Sequence, residues 1–133
     1  MTPIERVQYM YAAFGRGDVP AILAELAEDV QWEYNAFPNP VPWLQPIRGR
    51  ANVARFFEAL GAIDITQFEP RHFFGEGNLV VDLIDVTYTV KATGKQAVEL
   101  ETVHIWHFNP DGKVARFRHR ADTWQAVQAL KAD

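Results

Sequence analysis

Two histidines, His104 and His119, stand in segments that otherwise have the alternating apolar pattern of buried β-strands. The ordinary pKa of imidazole is about 6.5 and burial lowers it, so a buried histidine can donate or accept a proton near neutral pH. Between the two segments, residues 109–112 (Asn-Pro-Asp-Gly) have the composition of a tight turn. Residues 103–123 therefore predict a β-hairpin that could carry acid–base chemistry.

Simple antiparallel pairing across this turn gives a register for the two histidines. It places His104 opposite Phe117 and Thr102 opposite His119. In this register the histidines share the largely apolar face as diagonal neighbours, with about 7–8 Å between their backbones, so both rings could reach one ligand. The alternative is that each is a core histidine bonded to a neighbouring carbonyl or hydroxyl group. The residues alone leave both interpretations open.

Two further side chains are candidates for the same site. Tyr34 ends an alternating strand over residues 30–34, and its phenol could orient a substrate. Asp122 precedes the last predicted helix, where it would either cap that helix or, after a β-bulge, turn toward the pocket. The predicted catalytic residues are therefore His104, His119, Tyr34 and Asp122.

The remaining lining of the predicted ligand pocket is mostly aromatic. It consists of Trp32, Trp43, Phe57, Tyr88, Trp106 and Phe117, together with Asp85. Asp82 and Asp85 are three residues apart on one predicted strand, so without a bulge only one of them faces inward. Strict alternation favours Asp82, but the polar context leaves Asp85 open as the inward residue.

Residue types that are absent from the chain narrow the chemistry. There is no cysteine and no serine, which excludes disulfides, thiolate nucleophiles, cysteine-bound zinc and Ser-His-Asp hydrolases. His104 and His107 are three residues apart on a strand and point to opposite faces, so no metal site is predicted. Neither GxxxxGK(S/T) nor GxGxxG occurs. We expect no cofactor and a mechanism based on acid–base or electrostatic catalysis.

Length and composition predict a single folded domain over residues 1–133. Of these residues 48% are hydrophobic and 23% are charged, which is typical of a globular chain with a sizeable core. The formal net charge of −4 argues against binding to nucleic acid. No run approaches the roughly 18 apolar residues of a membrane span, and the N-terminus lacks the pattern of a signal peptide. The expected location is the cytoplasm.

Helix and turn signals divide the chain into an N-terminal part with helices and a C-terminal part with strands. Residues 2–5 (Thr-Pro-Ile-Glu) are a capping box, and the helix that follows places Val7, Tyr11 and Phe14 on one face. Turns with glycine and asparagine separate the later strands, so the sheet should be antiparallel. The predicted strands are 30–34, 65–74, 79–90, 96–108 and 113–121, and the later helices are 51–60 and 124–131.

Residues 36–48, between the first strand and the next helix, are rich in proline and aromatic residues. This composition is unsuited to regular structure but suits a loop that lies over an apolar surface. Phe37, Trp43 and Leu44 are its expected anchors. Together the elements predict an α+β fold with helices on one face of a curved antiparallel sheet.

The other face of the predicted hairpin carries charged residues. Arg116, Arg118 and Arg120 form a basic stripe that Glu99 and Glu101 on the neighbouring strand can neutralise. Apolar residues are interspersed among these charges, namely Val103, Ile105 and Val114. A face that mixes apolar and paired charged side chains predicts a homodimer contact.

Several stretches, taken in order, resemble the SnoaL-like branch of the nuclear transport factor 2-like superfamily. They are YAAFGRGD, LAEDVQWEY, IRGRANVARFFEAL, the TGK turn and HIWHFNPDGKVARFR, and the resemblance covers residues 3–127. It implies a cone-shaped α+β barrel of the cystatin-like type, in which three to four helices pack on the concave face of a curved antiparallel sheet. It also implies a hydrophobic cavity in the open end of the cone and, commonly, a dimer.

The resemblance also suggests positions for functional residues. Ketosteroid isomerases of this superfamily use a carboxylate base, a tyrosine and a protonated acid. The matching positions here are Tyr34, Met10 and His104. Polyketide cyclases use an acid–base residue on the last strand, and His119 resembles it. These matches imply acid–base chemistry by residues that differ from those of the isomerases.

A third group in the superfamily, the limonene-epoxide hydrolases, holds a water molecule with an Asp-Arg-Asp set. Asp122 resembles the last member of that set and Asp85 resembles the first. Leu83 stands where the arginine should be, so the set is incomplete in this chain. We therefore do not expect epoxide hydrolysis by that machinery.

The predicted function is that of an isomerase-, cyclase- or hydrolase-like enzyme acting on a small hydrophobic oxygenated molecule. The expected reactions are isomerisation, aldol-type cyclisation and addition of water. His119 is the predicted general acid or base, and His104 donates to a developing oxyanion. Tyr34 would orient the substrate, and Asp122 would set a tautomer or hold water. Two alternatives without catalysis are a module that binds a small hydrophobic ligand and a dimeric assembly module.

Overall fold

The computed structural model describes residues 1–34 and 38–133, which form a six-stranded sheet with helices packed against its inner face. The helices are α1 (Pro3–Gly15), α2 (Val19–Leu23), α3 (Arg50–Ala59) and α4 (Thr123–Leu130). The strands are β1 (Leu26–Tyr34), β2 (Ile47–Arg48), β3 (Ile63–Glu76), β4 (Leu79–Val90), β5 (Gln96–Phe108) and β6 (Val114–Arg120). The predicted elements are confirmed with shifts of one or two residues at their ends, except that β1 begins at Leu26, four residues before the predicted start. The short strand β2 is an addition.

The strand order is β2-β1-β6-β5-β4-β3, and the sheet is mixed. Strands β3 to β6 form the predicted antiparallel meander, whereas β1 pairs with β6 in parallel. The expectation of a fully antiparallel sheet is therefore wrong for this one pair. Turn residues identify strands that are joined by hairpins, but β1 and β6 are far apart in sequence and meet only in the folded sheet.

Helix α1 begins where the capping box predicts. The Thr2 hydroxyl accepts a hydrogen bond from the backbone N–H of Glu5 at 3.1 Å, and the Glu5 carboxylate accepts one from the N–H of Thr2 at 2.9 Å. The buried face of the helix packs against the inner face of the sheet. Tyr11 consequently directs its hydroxyl group at β4 and β5.

The turn between β5 and β6 is longer than predicted, and a β-bulge follows it. Asn109 donates its backbone N–H to the carbonyl of Lys113 at 2.8 Å, and β6 begins only at Val114. The strand pairing then skips Ala115. These two extra residues, one in the turn and one in the bulge, shift the register of the hairpin by two positions.

The shift changes which side chains face each other. His104 pairs directly with His119, so the predicted pairs of His104 with Phe117 and of Thr102 with His119 are wrong. Val114, which was expected on the outer face, is fully buried. Counting outward from the turn assumed an unbroken ladder, and a bulge breaks the alternation on which such counting depends.

A second bulge lies in β5, where Leu100 and Glu101 together oppose Asp85 of β4. Glu101 has a φ of 56°, which residues other than glycine rarely adopt. Its backbone N–H donates to the Asp85 carboxylate at 3.1 Å. Because the bulge shifts the alternation along β5, Glu99 and Thr102 are both buried on the inner face.

The outer face of β6 forms contacts that differ from the predicted ones. Arg116 binds the Glu33 carboxylate of β1 with hydrogen bonds of 2.8 and 3.0 Å, and Arg118 contacts His107 at 3.0 Å. The predicted pairing of Glu99 with the arginines is wrong because the bulge turns Glu99 inward. The homodimer contact expected on the outer face stays a prediction.

Replacing Glu101 with glycine is expected to stabilise the protein by up to about 1 kcal/mol. A Cβ in the left-handed region costs about 1–2 kcal/mol, and the greater entropy of glycine in the unfolded chain offsets part of the gain. Chemical denaturation measures the difference. The control is Leu100→Gly, since Leu100 has no positive φ and its replacement should destabilise the strand. A destabilised Glu101→Gly variant would contradict the prediction.

Candidate active site

A largely apolar cavity of about 110 Å³ lies between the helices and the inner face of the sheet. A single water needs about 10–15 Å³ of such space, so the cavity has room for a small organic molecule. Its aromatic wall includes Trp32, Trp43, Phe57, Tyr88, Trp106 and Phe117, all of which were predicted to line a pocket. The polar side chains on the wall are Tyr11, Glu99, Thr102, His104 and His119.

Asp82, Tyr11 and His104 form a chain of hydrogen bonds at this wall. The Tyr11 hydroxyl donates a hydrogen bond to Oδ2 of Asp82, and the Tyr11 oxygen lies 2.8 Å from Nδ1 of His104. The indole Nε1–H of Trp106 donates to Oδ1 of Asp82 at 3.0 Å and lies 3.2 Å from the Tyr11 oxygen. Asp82 itself is fully buried. The chain thus connects a buried carboxyl group on β4 to an imidazole that borders the cavity.

Burial changes the proton affinity of each member of this chain. It raises the pKa of Asp82 from 3.8 to about 7, although hydrogen bonds from Tyr11 and Trp106 act in the opposite direction. Burial and the neighbouring Asp82 raise the pKa of Tyr11. Burial, and then His119, lowers the pKa of His104. Near pH 7 the phenol and the imidazole are therefore neutral, while the carboxyl group changes its protonation state.

The protonation state of Asp82 determines the tautomer of His104. The Tyr11 hydroxyl has a single proton to donate. When Asp82 is ionised, its carboxylate accepts the hydrogen bond that the Tyr11 hydroxyl donates. Nδ1 of His104 then carries a proton and donates to the tyrosine oxygen, and Nε2 is left as an acceptor. When Asp82 is protonated it donates to Tyr11, Tyr11 donates to Nδ1, and Nε2 carries the proton. Nε2 is the ring nitrogen that remains for a ligand.

His119 lies beside His104 on the cavity wall. The two residues pair directly across β5 and β6, and their ring centroids are 4.8 Å apart with the rings nearly perpendicular. Burial, and then the positive charge of Arg120, lowers the pKa of His119 to about 3. The His119 imidazole is therefore neutral and only weakly basic.

Tyr88, Glu99 and Thr102 form a second polar group on the wall. Oε1 of Glu99 accepts hydrogen bonds from the backbone N–H of Asp122 at 3.0 Å and from the Thr102 hydroxyl at 3.4 Å. Among the described residues the buried Tyr88 hydroxyl has no hydrogen-bond partner of good geometry. Burial, and then the nearby Glu99, raises the pKa of Tyr88, and burial raises the pKa of Glu99.

Two predicted site residues lie away from the cavity. Asp122 is exposed, and its carboxylate caps α4 by accepting from the backbone N–H of Gln125 at 3.2 Å. Asp122 thus fills the capping role that the sequence had left open. Asp85 binds Arg71 at 2.9 Å on the outer face. The assignment of Asp85 to the pocket is wrong, because regular alternation along β4 sends Asp82 inward instead.

Tyr34 is described only in part. Its backbone pairs with His119 of β6. Its side chain and residues 35–37 lie outside the described residues, so the roles predicted for the Tyr34 phenol and for Phe37 stay predictions. Trp43 and Leu44, the other expected anchors of the proline-rich segment, are buried.

The hydrogen bonds of Tyr11 with Asp82 and His104 were not predicted. The resemblance matched the tyrosine of the isomerases to Met10, the residue before it, although the apolar spacing of α1 did place Tyr11 on the inward face. Alternation along β4 likewise favoured Asp82 as the inward carboxylate. The missing information was their contact, because the two residues are 71 positions apart in sequence.

The part of the chain that the structure describes has neither a cluster of metal-ligating side chains nor a membrane-spanning helix. Among residues 1–34 and 38–133 no group of three or more His, Cys, Asp or Glu side chains is placed to hold a metal ion. No helix in these residues is long and apolar enough to cross a membrane.

Solved structures with this fold cover almost the whole chain. An NTF2-like protein of unknown function from Burkholderia pseudomallei K96243 is 27% identical, with a TM-score of 0.86 and 99% of both chains covered. An NTF2-like protein from Burkholderia xenovorans LB400 is 28% identical, with a TM-score of 0.84 and coverage of 97% of this chain and 95% of that chain. TerC, co-crystallised with polyporic acid, is 25% identical, with a TM-score of 0.79 and 96% of both chains covered. No curated protein has a significant match.

The sequence also matches a known domain family. Residues 7–117 match the SnoaL-like domain. This range contains Tyr11, Asp82 and His104, and it ends shortly before His119. The chain belongs to the SnoaL-like domain family and has the α+β cone fold of the nuclear transport factor 2-like proteins.

Proposed function

We propose that this protein is a cofactor-independent enzyme that moves protons on a small, hydrophobic carbonyl compound. The observation that carries the proposal is the hydrogen-bonded chain from Asp82 through Tyr11 to His104, which ends at an apolar cavity. General acid–base catalysis works best with a group whose pKa is near the working pH and whose proton can reach the substrate. Asp82 is the group whose pKa is about 7, and Tyr11 and His104 connect it to the cavity by hydrogen bonds.

The chain can accept a proton from the substrate without leaving a charge on the imidazole. Nε2 of His104 takes a proton from the carbon next to the carbonyl, Nδ1 gives its proton to Tyr11, and Tyr11 gives its own to Asp82. The carboxyl group becomes neutral, and the negative charge moves to the substrate oxygen as an enolate. Returning the proton to a different carbon completes an isomerisation. Attack of the enolate on a second carbonyl, with the proton returned to the new alkoxide, completes an aldol-type cyclisation.

His119 is suited to donate a hydrogen bond to the enolate oxygen. An imidazole with a pKa of about 3 is a weak base but keeps one N–H donor. Its ring lies against that of His104, so the donor and the acid–base group act on neighbouring atoms of one substrate. The roles expected from the sequence are therefore exchanged in this proposal. His104 becomes the acid–base group, and His119 becomes the donor.

A binding module without catalysis is the second candidate. The almost entirely apolar lining of the cavity favours it, because such a surface retains a hydrophobic ligand without any proton transfer. The co-crystallisation of TerC with polyporic acid supports a small organic ligand under either candidate. Only the enzyme requires that the polar chain and the ligand exchange protons.

Exchange with solvent deuterium tests the enzyme directly. 4-Phenylcyclohexanone is a hydrophobic ketone with acidic hydrogens beside its carbonyl, and NMR follows their replacement in D₂O. We expect the protein to accelerate this exchange and the His104→Gln variant to lose the acceleration. If the ketone binds and its exchange is not accelerated, the second candidate replaces the first.

Two substitutions of His119 are expected to differ in effect. Glutamine keeps an N–H donor, so His119→Gln should retain exchange within about tenfold of the native rate. Leucine has no donor, so His119→Leu should lose about 10²–10³ in rate, the usual cost of removing one oxyanion donor. Initial rates at saturating ketone measure both. Equal and large losses in the two variants would mean that His119 itself transfers the proton.

A further inference from the structure

Tyr88 and Glu99 are buried polar groups that the proposed proton transfer does not use. Tyr88 is 3% exposed and Glu99 is 5% exposed, and both line the cavity. The Tyr88 hydroxyl lies near the side chains of Glu99 and Trp43, but among the described residues it has no hydrogen-bond partner of good geometry. A buried hydroxyl without a partner of good geometry destabilises the folded state, and a ligand oxygen in the cavity would complete its hydrogen bond.

The fold places Glu99 beside this hydroxyl by means of the second β-bulge. Without the two-residue bulge at Leu100 and Glu101, Glu99 and Thr102 would face opposite sides of the sheet. Backbone and hydroxyl donors hold Oε1 of Glu99 in place at 3.0 Å (Asp122) and 3.4 Å (Thr102). The result is a fixed carboxyl group next to an unsatisfied phenol.

This pair lies apart from the acid–base chain along the same strand. Glu99 and His104 pair with Val86 and Asp82, which are four residues apart on β4, so roughly 13 Å of strand separates them at about 3.3 Å per residue. The wall beside Tyr88 is aromatic, because Trp43 packs edge-on against its ring with centroids 5.6 Å apart. The cavity therefore has polar groups at two separated positions and an apolar surface between them.

We infer that Tyr88 and Glu99 form a second binding subsite, which holds an oxygen function of the substrate at the end remote from the reacting carbonyl. The inference rests on the proposed function for the position of that carbonyl, at His104 and His119. It narrows the substrate class to elongated, mainly apolar ketones that carry a hydroxyl group or second carbonyl at their far end. Tyr88 donates to this oxygen, and Glu99 accepts from it when it is a hydroxyl group.

Two ketones that differ in one remote hydroxyl group test the subsite. They are 4-phenylcyclohexanone and 4-(4-hydroxyphenyl)cyclohexanone, and quenching of tryptophan fluorescence measures their binding. We expect the native protein to prefer the hydroxylated ketone by about tenfold, the gain typical of one buried hydrogen bond. Tyr88→Phe should abolish this preference, because it removes the hydroxyl donor and keeps the ring. Without ligand, Tyr88→Phe should melt at the same or a higher temperature, because it removes an unsatisfied group.

Equal affinity of the native protein for the two ketones, or binding of neither, overturns the subsite. A preference that survives in Tyr88→Phe overturns it as well. A lower melting temperature of the ligand-free variant with an unchanged preference would assign Tyr88 to stability alone. Deuterium exchange of the same ketones reports the proposed function separately. Tyr11→Phe should lose that exchange and keep the preference, so failure of one proposal is distinguishable from failure of the other.

Discussion

Replacing Tyr11 with phenylalanine is expected to lower the rate of ketone deuterium exchange by about 10²–10⁴, the range typical of general acid–base catalysis. The variant keeps the ring, which packs edge-on against Phe68 with centroids 5.3 Å apart. It removes the oxygen atom that joins Asp82 to His104. Without that atom, a proton on His104 has no path to the carboxyl group, and the imidazole would have to carry the charge in a buried site.

Tyr9→Phe is the matched control for this experiment. Tyr9 lies on the same helix and is 38% exposed, so the loss of its hydroxyl group should leave exchange unchanged. Binding of 4-phenylcyclohexanone should be similar in both variants, since the cavity keeps its aromatic wall. If Tyr11→Phe exchanges the ketone at the native rate, proton transfer through Tyr11 is contradicted, and His104 must act without Asp82.

The second large effect expected is a pH dependence that originates in Asp82. Exchange should rise as the pH increases through about 7, because ionised Asp82 leaves Nε2 of His104 as an acceptor. Asp82→Asn presents an amide N–H₂ group to Tyr11 and so imitates the protonated carboxyl group. Deuterium exchange by this variant should be slow and independent of pH, because the proton of His104 stays on Nε2 at every pH. Nitrogen-15 chemical shifts of the imidazole report the tautomer, and an unchanged native tautomer between pH 5 and 9 would contradict the scheme.

The same group should make the free energy of unfolding depend on pH. Burial raises the pKa of Asp82 from 3.8 to about 7, so between these values the folded protein binds more protons than the unfolded chain. The stability associated with protonated Asp82 is complete below about pH 4 and is lost as the pH rises through about 7. A pKa shift of this size corresponds to about 4 kcal/mol in the free energy of unfolding.

Denaturant unfolding of Asp82→Asn and Asp85→Asn between pH 4.5 and 8 measures this contribution. Asp82→Asn should lack the decline in stability with rising pH. Asp85→Asn is the control, because the backbone N–H of Glu101, and then Arg71, lower the pKa of Asp85, whose ionisation therefore falls below this range. The free energy of unfolding of Asp85→Asn should change with pH as steeply as that of the native protein. Equal slopes in the native protein and Asp82→Asn would show that Asp82 does not titrate in this window.

The sequence was sufficient to predict the elements and the composition of the cavity wall. Capping residues, glycine-containing turns and period-two alternation are local signals, and they located the helices and the meander to within a few residues. Alternation also assigned Trp32, Tyr88 and Trp106 to the inner face correctly, because the residues next to each of them on its own strand keep an unbroken alternation of inner and outer side chains. The family resemblance then predicted that these elements are arranged as a cone.

Predictions failed where one extra residue altered the alternation. The bulges at Ala115 and at Leu100–Glu101 changed the partner of His104 and turned Glu99 from the outer face to the inner one. Neither bulge has a glycine at the position where the ladder is interrupted, so no residue type marked it. Register depends on the pairing of whole strands, and a local pattern does not contain it.

The sequence by itself determined that this protein has an α+β cone with an aromatic interior and two histidines on its last hairpin. Only the tertiary structure decided that Tyr11 of the first helix joins Asp82 of β4 to His104 of β5. The physical reason is that local periodicity sets which way a side chain faces, whereas a hydrogen bond requires two atoms about 3 Å apart. That distance depends on how helix and sheet pack, and so this chain of hydrogen bonds became visible only in the folded protein.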